Sequence, residues 1–323
     1  MTNAKALRVV WAVDPLEHRE FAYAAAIRAL ASLRERTRVE IVPVAVLATD
    51  ELSLPAIEDV SPGMHLFRAD LRDRLNRALQ RSGVSRAIFP PIIVRGYLTR
   101  SLSVQRLLEV ARKQRAELIV LNTHGRKGVR RAFLGSFAET LVLQSPVPAL
   151  LAGPHAGSKR PFDRILFATD FSDTTGIAFK SILDLAAKLH SEIILFHALK
   201  TPEAAIQTWG LYDSGAYRSV KDLIAQKTEQ KRAKAEAWAA KAAKIGVRIQ
   251  VRFEETLLST PQAVSRAAKK HHVGMVAMEA QSGPVEAALL GSATREVLRA
   301  ALCPVFVIRT QNLAKARTRM RAA

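Results

Sequence analysis

The chain has 323 residues, and 49% of them are hydrophobic, so it can bury a sizeable core and is long enough for two domains. No apolar run reaches the roughly 20 residues that a membrane-spanning helix needs, and residues 1–5 lack the architecture of a signal peptide. The single cysteine, Cys303, excludes an internal disulfide framework and fits a reducing compartment. We therefore expect a soluble, cytoplasmic protein without a membrane partner.

The formal net charge of +20 would attract phosphates, RNA or anionic lipid non-specifically. Basic residues are spread over a helical stretch at 227–244 and collect in the tail after Arg309. The sequence contains no recognition-helix pattern, zinc-ligand spacing or aromatic-rich RNA platform. A solvated basic face is the preferred interpretation, and nucleic-acid binding stays an alternative without a supporting motif.

Apolar runs and helical periodicity alternate along the first half of the chain. Strands are predicted at residues 7–13, 39–47, 88–94, 118–121 and 147–151. Helices are predicted at 17–34, 66–79, 103–112 and 135–144, and a proline-containing loop at 48–63. This alternation predicts an α/β fold with a parallel sheet covered by helices on both faces.

A short segment rich in glycine and proline, residues 154–161, is predicted to be a linker. The pattern begins again beyond it: residues 164–170 parallel 8–14, 192–198 parallel 40–46, 289–292 parallel 133–136, and 304–308 parallel 146–151. An internal repeat of this length predicts two copies of one domain. The predicted organisation is domain 1–153, linker 154–161, domain 162–310 and basic tail 311–323.

The stretch from Asn122 to Ser136 joins a predicted strand to a predicted helix through a glycine-bearing loop. Glycines let the backbone approach an anion closely, and the unpaired N–H groups of a helix start point at it. The glycines are Gly125, Gly128 and Gly135, and the nearby cations are Arg126, Lys127, Arg130 and Arg131. On residue types alone, the stretch is either a phosphate-binding loop or a plain surface turn capped by Ser136.

This stretch resembles the nucleotide loop of the universal stress proteins, whose pattern is Gly-x2-Gly-x9-Gly-[Ser/Thr]. Gly125, the nine residues 126–134 and the pair Gly135-Ser136 match the pattern, whereas Asn122 stands at the leading glycine. The resemblance covers both halves and leaves only the basic tail outside. It implies two tandem, open, five-stranded parallel sheets of flavodoxin or Rossmann-like layout, each with its ligand site at the carboxyl ends of the strands.

The resemblance also implies a function. The chain is expected to be a cytoplasmic, non-metabolic stress-response protein that binds ATP or another adenine nucleotide in its first domain, with or without Mg²⁺. No redox cofactor and no enzymatic activity beyond slow ATP hydrolysis are expected. The implied nucleotide-binding residues are Asp14 beside the ribose, Ala45 and Val46 near the adenine, and the loop residues Asn122, Gly125, Arg126, Gly128, Gly135 and Ser136.

The corresponding loop of the second half is degraded. Counting back nine residues from Gly291 puts Gln281 and Met278 at the glycine positions, and a one-residue gap puts Ser282 and Glu279 there instead. Neither alignment restores a glycine, so we expect a triphosphate to bind poorly here. The remaining counterparts of the first site are Asp170, Gly291 and Ser292.

The predicted partners follow from the resemblance and from the apolar last strands. Residues 147–151 and 305–308 are expected to hold the two domains together as an intramolecular pseudo-dimer, and the tandem chains are expected to form a homodimer. Because the family includes members that bind no ATP, a partner-interaction protein is the main alternative. A binder of an apolar ligand or nucleic acid through the basic surface is the third.

Other chemistry-bearing residues carry no catalytic or metal site on sequence grounds. His190 and His197 lack partners at metal-ligand spacing, and no His–Asp pair in the sequence can be assigned to activate Ser136. Cys303 precedes a proline and a strand and is expected to be a packed small residue.

Overall fold

The computed structural model describes residues 6–14, 23–47, 62–80, 92–95, 100–122, 136–153, 161–200, 214–280 and 291–310. The described strands are β1 (Leu7–Val13), β2 (Val39–Leu47), β3 (Ile92–Arg95), β4 (Leu118–Asn122), β5 (Ala149–Ala152), β6 (Arg164–Ala168), β7 (Glu192–Lys200), β8 (Ile249–Thr256), β9 (Met275–Glu279) and β10 (Val305–Ile308). The described helices are α1 (Ala24–Arg36), α2 (Pro62–Gln80), α3 (Arg100–Lys113), α4 (Ser136–Gln144), α5 (Asp173–Leu189), α6 (Ser214–Ala243), α7 (Thr260–Lys270) and α8 (Ser292–Ala300).

The strands form one sheet in the order β3-β2-β1-β4-β5-β10-β9-β6-β7-β8. Within each half all pairings are parallel, and the two halves repeat the same strand order. The halves meet where β5 and β10 pair antiparallel. The carboxyl ends of the two sets of strands therefore lie at opposite edges of the sheet. This confirms the two tandem parallel sheets and joins them into one.

Helices cover both faces of the sheet and enclose two apolar layers. One layer contains buried side chains of α1, α2, α5 and α6, including Leu30, Leu71 and Ile182. The other contains buried side chains of α3, α4, α7 and α8, including Leu107 and Leu141. Each layer runs through both halves, because strand residues of both halves alternate between the two faces.

The β5–β10 seam is fully apolar on both faces. Leu150 lies opposite Phe306 on one face, and Leu151 lies opposite Val305 on the other. All four side chains are buried. The structure thus confirms the intramolecular pairing of the last strands.

Polar contacts also link the halves near the start of β6. The guanidinium of Arg36, the last residue of α1, donates to the carbonyl of Leu189 at 2.9 Å and forms an ion pair with Asp163. A second ion pair joins Lys188 of the second half to Glu117 of the first. These contacts tie the C-terminal end of α5 to the end of α1 and to the residue before β4.

The predicted starts of β5 and α2 are wrong for local reasons. Strand β5 begins at Ala149 and not at Val147, because the Ser145 hydroxyl donates to the Val147 carbonyl at 2.6 Å and accepts from its N–H at 3.2 Å. Helix α2 begins at Pro62, inside the predicted loop, since proline is well tolerated at a helix start. Within the described part of the chain, no helix is long and apolar enough to cross a membrane.

Candidate functional site

The carboxyl edge of the first half brings several predicted site residues together. Val13, the last residue of β1, lies opposite Ala45, and Ala12 lies opposite Leu121 of β4. Asp14, Val46 and Asn122 therefore sit at the carboxyl ends of three adjacent strands. The strand order reverses between β1 and β4, and such switch points are where open α/β sheets bind ligands.

Tyr23 holds the backbone at Asp14. Its hydroxyl donates to the Asp14 carbonyl at 2.9 Å, and its buried ring meets Trp11 edge-on with centroids 5.9 Å apart. The chain is thereby fixed directly after β1, where the ribose contact is expected. Sequence reasoning missed Tyr23, because no motif connects a tyrosine to a carbonyl nine residues earlier.

The nucleotide loop itself is only partly described. Ser136 is exposed and is the first residue of α4, and its carbonyl accepts a hydrogen bond from the Thr140 hydroxyl at 2.8 Å. Because α4 connects the end of β4 to the start of β5, its N-terminus lies at the same edge as Asn122. The predicted loop residues Gly125, Arg126, Gly128 and Gly135 lie outside the described residues.

The strand register settles how the second loop aligns with the first. Val9 lies opposite Leu118 in the first half, and its counterpart Ile165 lies opposite Met275 in the second. Counting along both strands makes Glu279 the counterpart of Asn122. The alignment that put Met278 at this position is wrong, and the gapped alignment is the correct one.

Glu279 brings a buried carboxylate to the start of the second loop. The side chain is 9% exposed, and one carboxylate oxygen accepts a hydrogen bond from the hydroxyl of Thr310. The other oxygen, Oε2, is buried and has no hydrogen-bond partner in the described part of the chain. A negative charge therefore stands where the first half has a neutral amide.

The other two counterparts lie at the start of α8. Gly291 is the N-cap residue with φ −54°, and Ser292, the first helical residue, is exposed. Among the described residues, no side chain caps this helix start. The helix N-terminus is retained here, while the strand end that leads towards it has become acidic.

Asp170 is engaged in the turn after β6. Its Oδ1 accepts from the Ser172 backbone N–H at 2.9 Å and from the Thr175 hydroxyl at 3.2 Å. Ser172 in turn caps α5 by accepting from the Thr175 N–H. Between them, Phe171 is buried at φ 61°, a left-handed conformation that is rare for an aromatic residue. The Asp170 carboxylate thus helps to build the turn at the mouth of the second site.

His197 occupies the strand position that corresponds to Ala45. Its Nδ1 lies 2.6 Å from the Thr169 carbonyl, and its Nε2 lies 2.9 Å from the Nζ of Lys231. The ring meets Phe171 and Phe253 edge-on, with centroids 5.8 and 5.6 Å away. Burial, and secondarily the charge of Lys231, lowers the pKa of His197. The edge of the second half therefore differs from that of the first in both charge and shape.

Sequence reasoning found no partner for His197, because Lys231 is 34 positions away on another element. The available signal is the spacing of Lys227, Lys231, Lys234 and Trp238, which places them on one face of α6. Trp238 packs against Phe179 of α5 at 4.3 Å between centroids, and this contact turns the same face of α6 towards α5.

Comparison with known proteins agrees with this geometry. The model of the universal stress protein family matches residues 6–152 and again residues 161–309. The chain belongs to the universal stress protein family. It is a tandem member, since each match covers one half of the sheet.

Two solved structures show the same fold over the whole length. A universal stress protein from Archaeoglobus fulgidus DSM 4304 is similar with a TM-score of 0.62 at 17% identity, covering 94% of this chain and 98% of that one. A putative universal stress protein from Pseudomonas aeruginosa UCBPP-PA14 is similar with a TM-score of 0.55 at 15% identity, covering 97% and 96%. No curated protein matches the sequence significantly. At 17% and 15% sequence identity, these two structures show that this tandem universal stress protein shares their fold.

Proposed function

We propose that this tandem universal stress protein binds an adenine nucleotide, of the ATP class, in its first half, and acts in the stress response without metabolic catalysis. The observation that carries the proposal is the placement of Asp14, Val46 and Asn122 at the carboxyl ends of three adjacent strands. This edge contains the switch point of the strand order.

Each described residue has a physical role in this proposal. The Asp14 carboxylate accepts hydrogen bonds from the ribose hydroxyls, and the backbone at Ala45 and Val46 recognises the adenine edge. The N-terminus of α4, beginning at Ser136, offers unpaired N–H groups and a partial positive charge to the phosphates, and the Ser136 hydroxyl donates to a phosphate oxygen. Asn122 can donate its amide to the ligand from the end of β4.

The remaining loop residues complete the phosphate site. Gly125, Gly128 and Gly135 allow the backbone to approach the phosphate oxygens, and Arg126 supplies charge. A magnesium ion would be held chiefly by the phosphates of the nucleotide, as is usual for this ion. Hydrolysis is expected to be slow at most, because the residues proposed for this site bind the nucleotide and none of them acts as a general base.

The second half is proposed to leave its nucleotide site empty. The carboxylate of Glu279 repels a triphosphate at the entry to the loop. Because the side chain is buried, water and salt screen this repulsion less than they would at the surface. The expected stoichiometry is one nucleotide per chain.

A partner-binding protein without nucleotide is the second candidate. The observation in its favour is that neither strand end keeps the leading glycine of the family loop: β4 ends at Asn122 and β9 at Glu279. A homodimer of tandem chains is compatible with both candidates.

The test is mass spectrometry of the ligand released on denaturing the purified protein, followed by calorimetric titration with ATP. We expect an adenine nucleotide, and we expect Asp14→Ala and Ser136→Ala each to weaken binding. Losing a hydrogen bond that involves a charged group costs about 1.5–3 kcal/mol, or roughly ten- to a hundredfold in affinity.

The matched controls are Asp170→Ala and Ser292→Ala, which remove the same groups from the second half. They should leave ATP affinity unchanged. Absence of any nucleotide, together with no heat of ATP binding by the parent protein, would reject this proposal and support the partner-binding candidate.

A further inference from the structure

His197 is held as a neutral imidazole with a defined tautomer. A carbonyl oxygen can only accept, so the Nδ1 that lies 2.6 Å from the Thr169 carbonyl must carry the proton and donate it. Nε2 is then the unprotonated nitrogen, and it accepts a hydrogen bond from Lys231 Nζ at 2.9 Å. Burial and the nearby Lys231 lower the pKa of His197, which favours this neutral form.

Lys231 occupies an environment that favours its free amine. Its side chain is only partly exposed, and burial lowers its pKa. Two other charges act on it: Asp170 opposes the shift from the turn after β6, and Lys227 reinforces it from the same helix. Trp238, on the same face of α6, stacks on Phe179 and holds this part of the helix against α5.

A nucleophile within hydrogen-bond reach of a base, with the base oriented by a third group, is the arrangement of an activated nucleophile. Here the three groups are the Lys231 amine, the His197 imidazole and the Thr169 carbonyl. They lie at the carboxyl edge of the second half, in the place where Glu279 disfavours a triphosphate. This arrangement is independent of nucleotide binding in the first half.

We propose that Lys231 is a self-acylation site, at which acyl phosphates transfer their acyl group to the side-chain amine with His197 as the base. The neutral amine attacks the acyl carbonyl carbon, and a C–N bond forms as the carbonyl oxygen becomes an oxyanion. His197 Nε2 takes a proton from the new ammonium centre. The carbonyl then re-forms as the bond to the phosphate oxygen breaks, inorganic phosphate leaves, and His197 returns its proton to solvent.

The product is an amide, so Lys231 can no longer be protonated and can no longer carry a positive charge. The hydrogen bond from Nζ to His197 can persist, because the amide retains one N–H. Acylation would therefore reduce the positive charge on the face of α6 that carries Lys227 and Lys234.

The experiment is incubation of the full-length protein with acetyl phosphate at neutral pH, with acetylation of each lysine followed by peptide mass spectrometry over time. Lys234 is the internal reference. It lies on the same face of α6 and donates to the Phe171 carbonyl at 3.1 Å and to Asp173 at 3.0 Å, but no imidazole among the described residues contacts it. We expect Lys231 to react at least about a hundredfold faster than Lys234, which is the lower limit of what a positioned general base typically contributes.

His197→Gln is the decisive variant, since its amide can accept the hydrogen bond from Lys231 but cannot take a proton. It should bring the rate at position 231 down to that of Lys234, while leaving Lys234 unchanged. Lys231→Arg should remove the fast site alone. Both rates should fall with pH as the amines become protonated. In the parent protein the rate at Lys231 should fall more steeply than that at Lys234 once His197 also becomes protonated, below the ordinary pKa of a histidine.

Equal rates at Lys231 and Lys234 in the parent protein would overturn the proposal. So would an unchanged fast rate at Lys231 in a folded His197→Gln variant, because burial alone would then explain the reactivity. Thermal denaturation of each variant establishes that it is folded.

Discussion

Removal of the facing side chains Leu150 and Phe306 tests whether the two halves are joined through β5 and β10. These residues are directly opposite each other in the antiparallel seam, and both are buried. The perturbation is a double-mutant cycle with Leu150→Ala, Phe306→Ala and the combined variant. Alanine keeps the strands compatible with pairing and removes only the side-chain contact.

The magnitudes follow from burial. Truncation of a buried leucine typically costs about 2–5 kcal/mol and that of a buried phenylalanine about 3–5 kcal/mol, as lost transfer energy plus a cavity. Because the two side chains face each other across the seam, the second truncation should lower the free energy of unfolding by less once the first has been made. We expect a coupling energy of about 0.5–3 kcal/mol, which is the range for residues in contact.

The assay is the free energy of unfolding from urea titration of the parent protein and the three variants. Leu302→Ala is the control, since this leucine is 62% exposed and lies just before β10. It should change stability by less than about 0.5 kcal/mol. If the losses of unfolding free energy at Leu150 and Phe306 are additive, or as small as that of the control, the two side chains do not pack together across the β5–β10 seam. A charged residue at either position should lower thermal stability still further.

Three further predictions concern the assembly and two titratable groups. Light scattering at micromolar concentration should give twice the mass of a single chain, and a strict monomer would contradict the expected homodimer. Glu254→Gln should destabilise the protein at neutral pH. The hydrogen bond from Lys270 at 2.7 Å is the main cause of the lowered pKa of Glu254, so this stability exists above the ordinary glutamate pKa of 4.5 and disappears as the pH falls below it. The exposed Glu255→Gln is its control, and equal effects of the two substitutions at neutral pH would refute the assignment. Burial raises the pKa of Cys303 to about 11, so native protein should resist alkylation at mildly alkaline pH, whereas unfolded protein should react rapidly, which peptide mass spectrometry would show. Rapid alkylation of the folded protein would contradict that burial.

The strands were the most predictable part of the fold. A strand of a parallel sheet is buried on both faces and reads as a continuous apolar run, so the bounds of β1 and β2 were predicted correctly. The repeat then predicted the same layout for the second half. The start of β5 was not predictable, because it depends on whether the Ser145 hydroxyl takes the hydrogen bonds of Val147.

Some residues of the candidate site could also be predicted from the sequence, and others could not. Asp14, Asn122 and Ser136 were recognisable because each directly follows or begins a predicted element in a familiar pattern. The choice between Met278 and Glu279 depended on strand register, which one sequence does not define when a loop has changed length. The contact between His197 and Lys231 forms because α6 packs over the end of β7. This packing cannot be predicted from the residue types alone.

Calorimetry of ATP binding to Gly135→Val and Gly291→Val tests whether nucleotide binds in the first half and not in the second. A β-branched side chain at Gly135 blocks the approach of a phosphate and should weaken binding by on the order of a hundredfold, equivalent to two lost hydrogen bonds to a charged oxygen. Gly291 has φ −54°, which valine can adopt, so Gly291→Val should fold normally and bind one ATP per chain with the parent affinity. Equal losses of ATP affinity in the two variants, or two ATP molecules bound per parent chain, would show that binding is not confined to the first half.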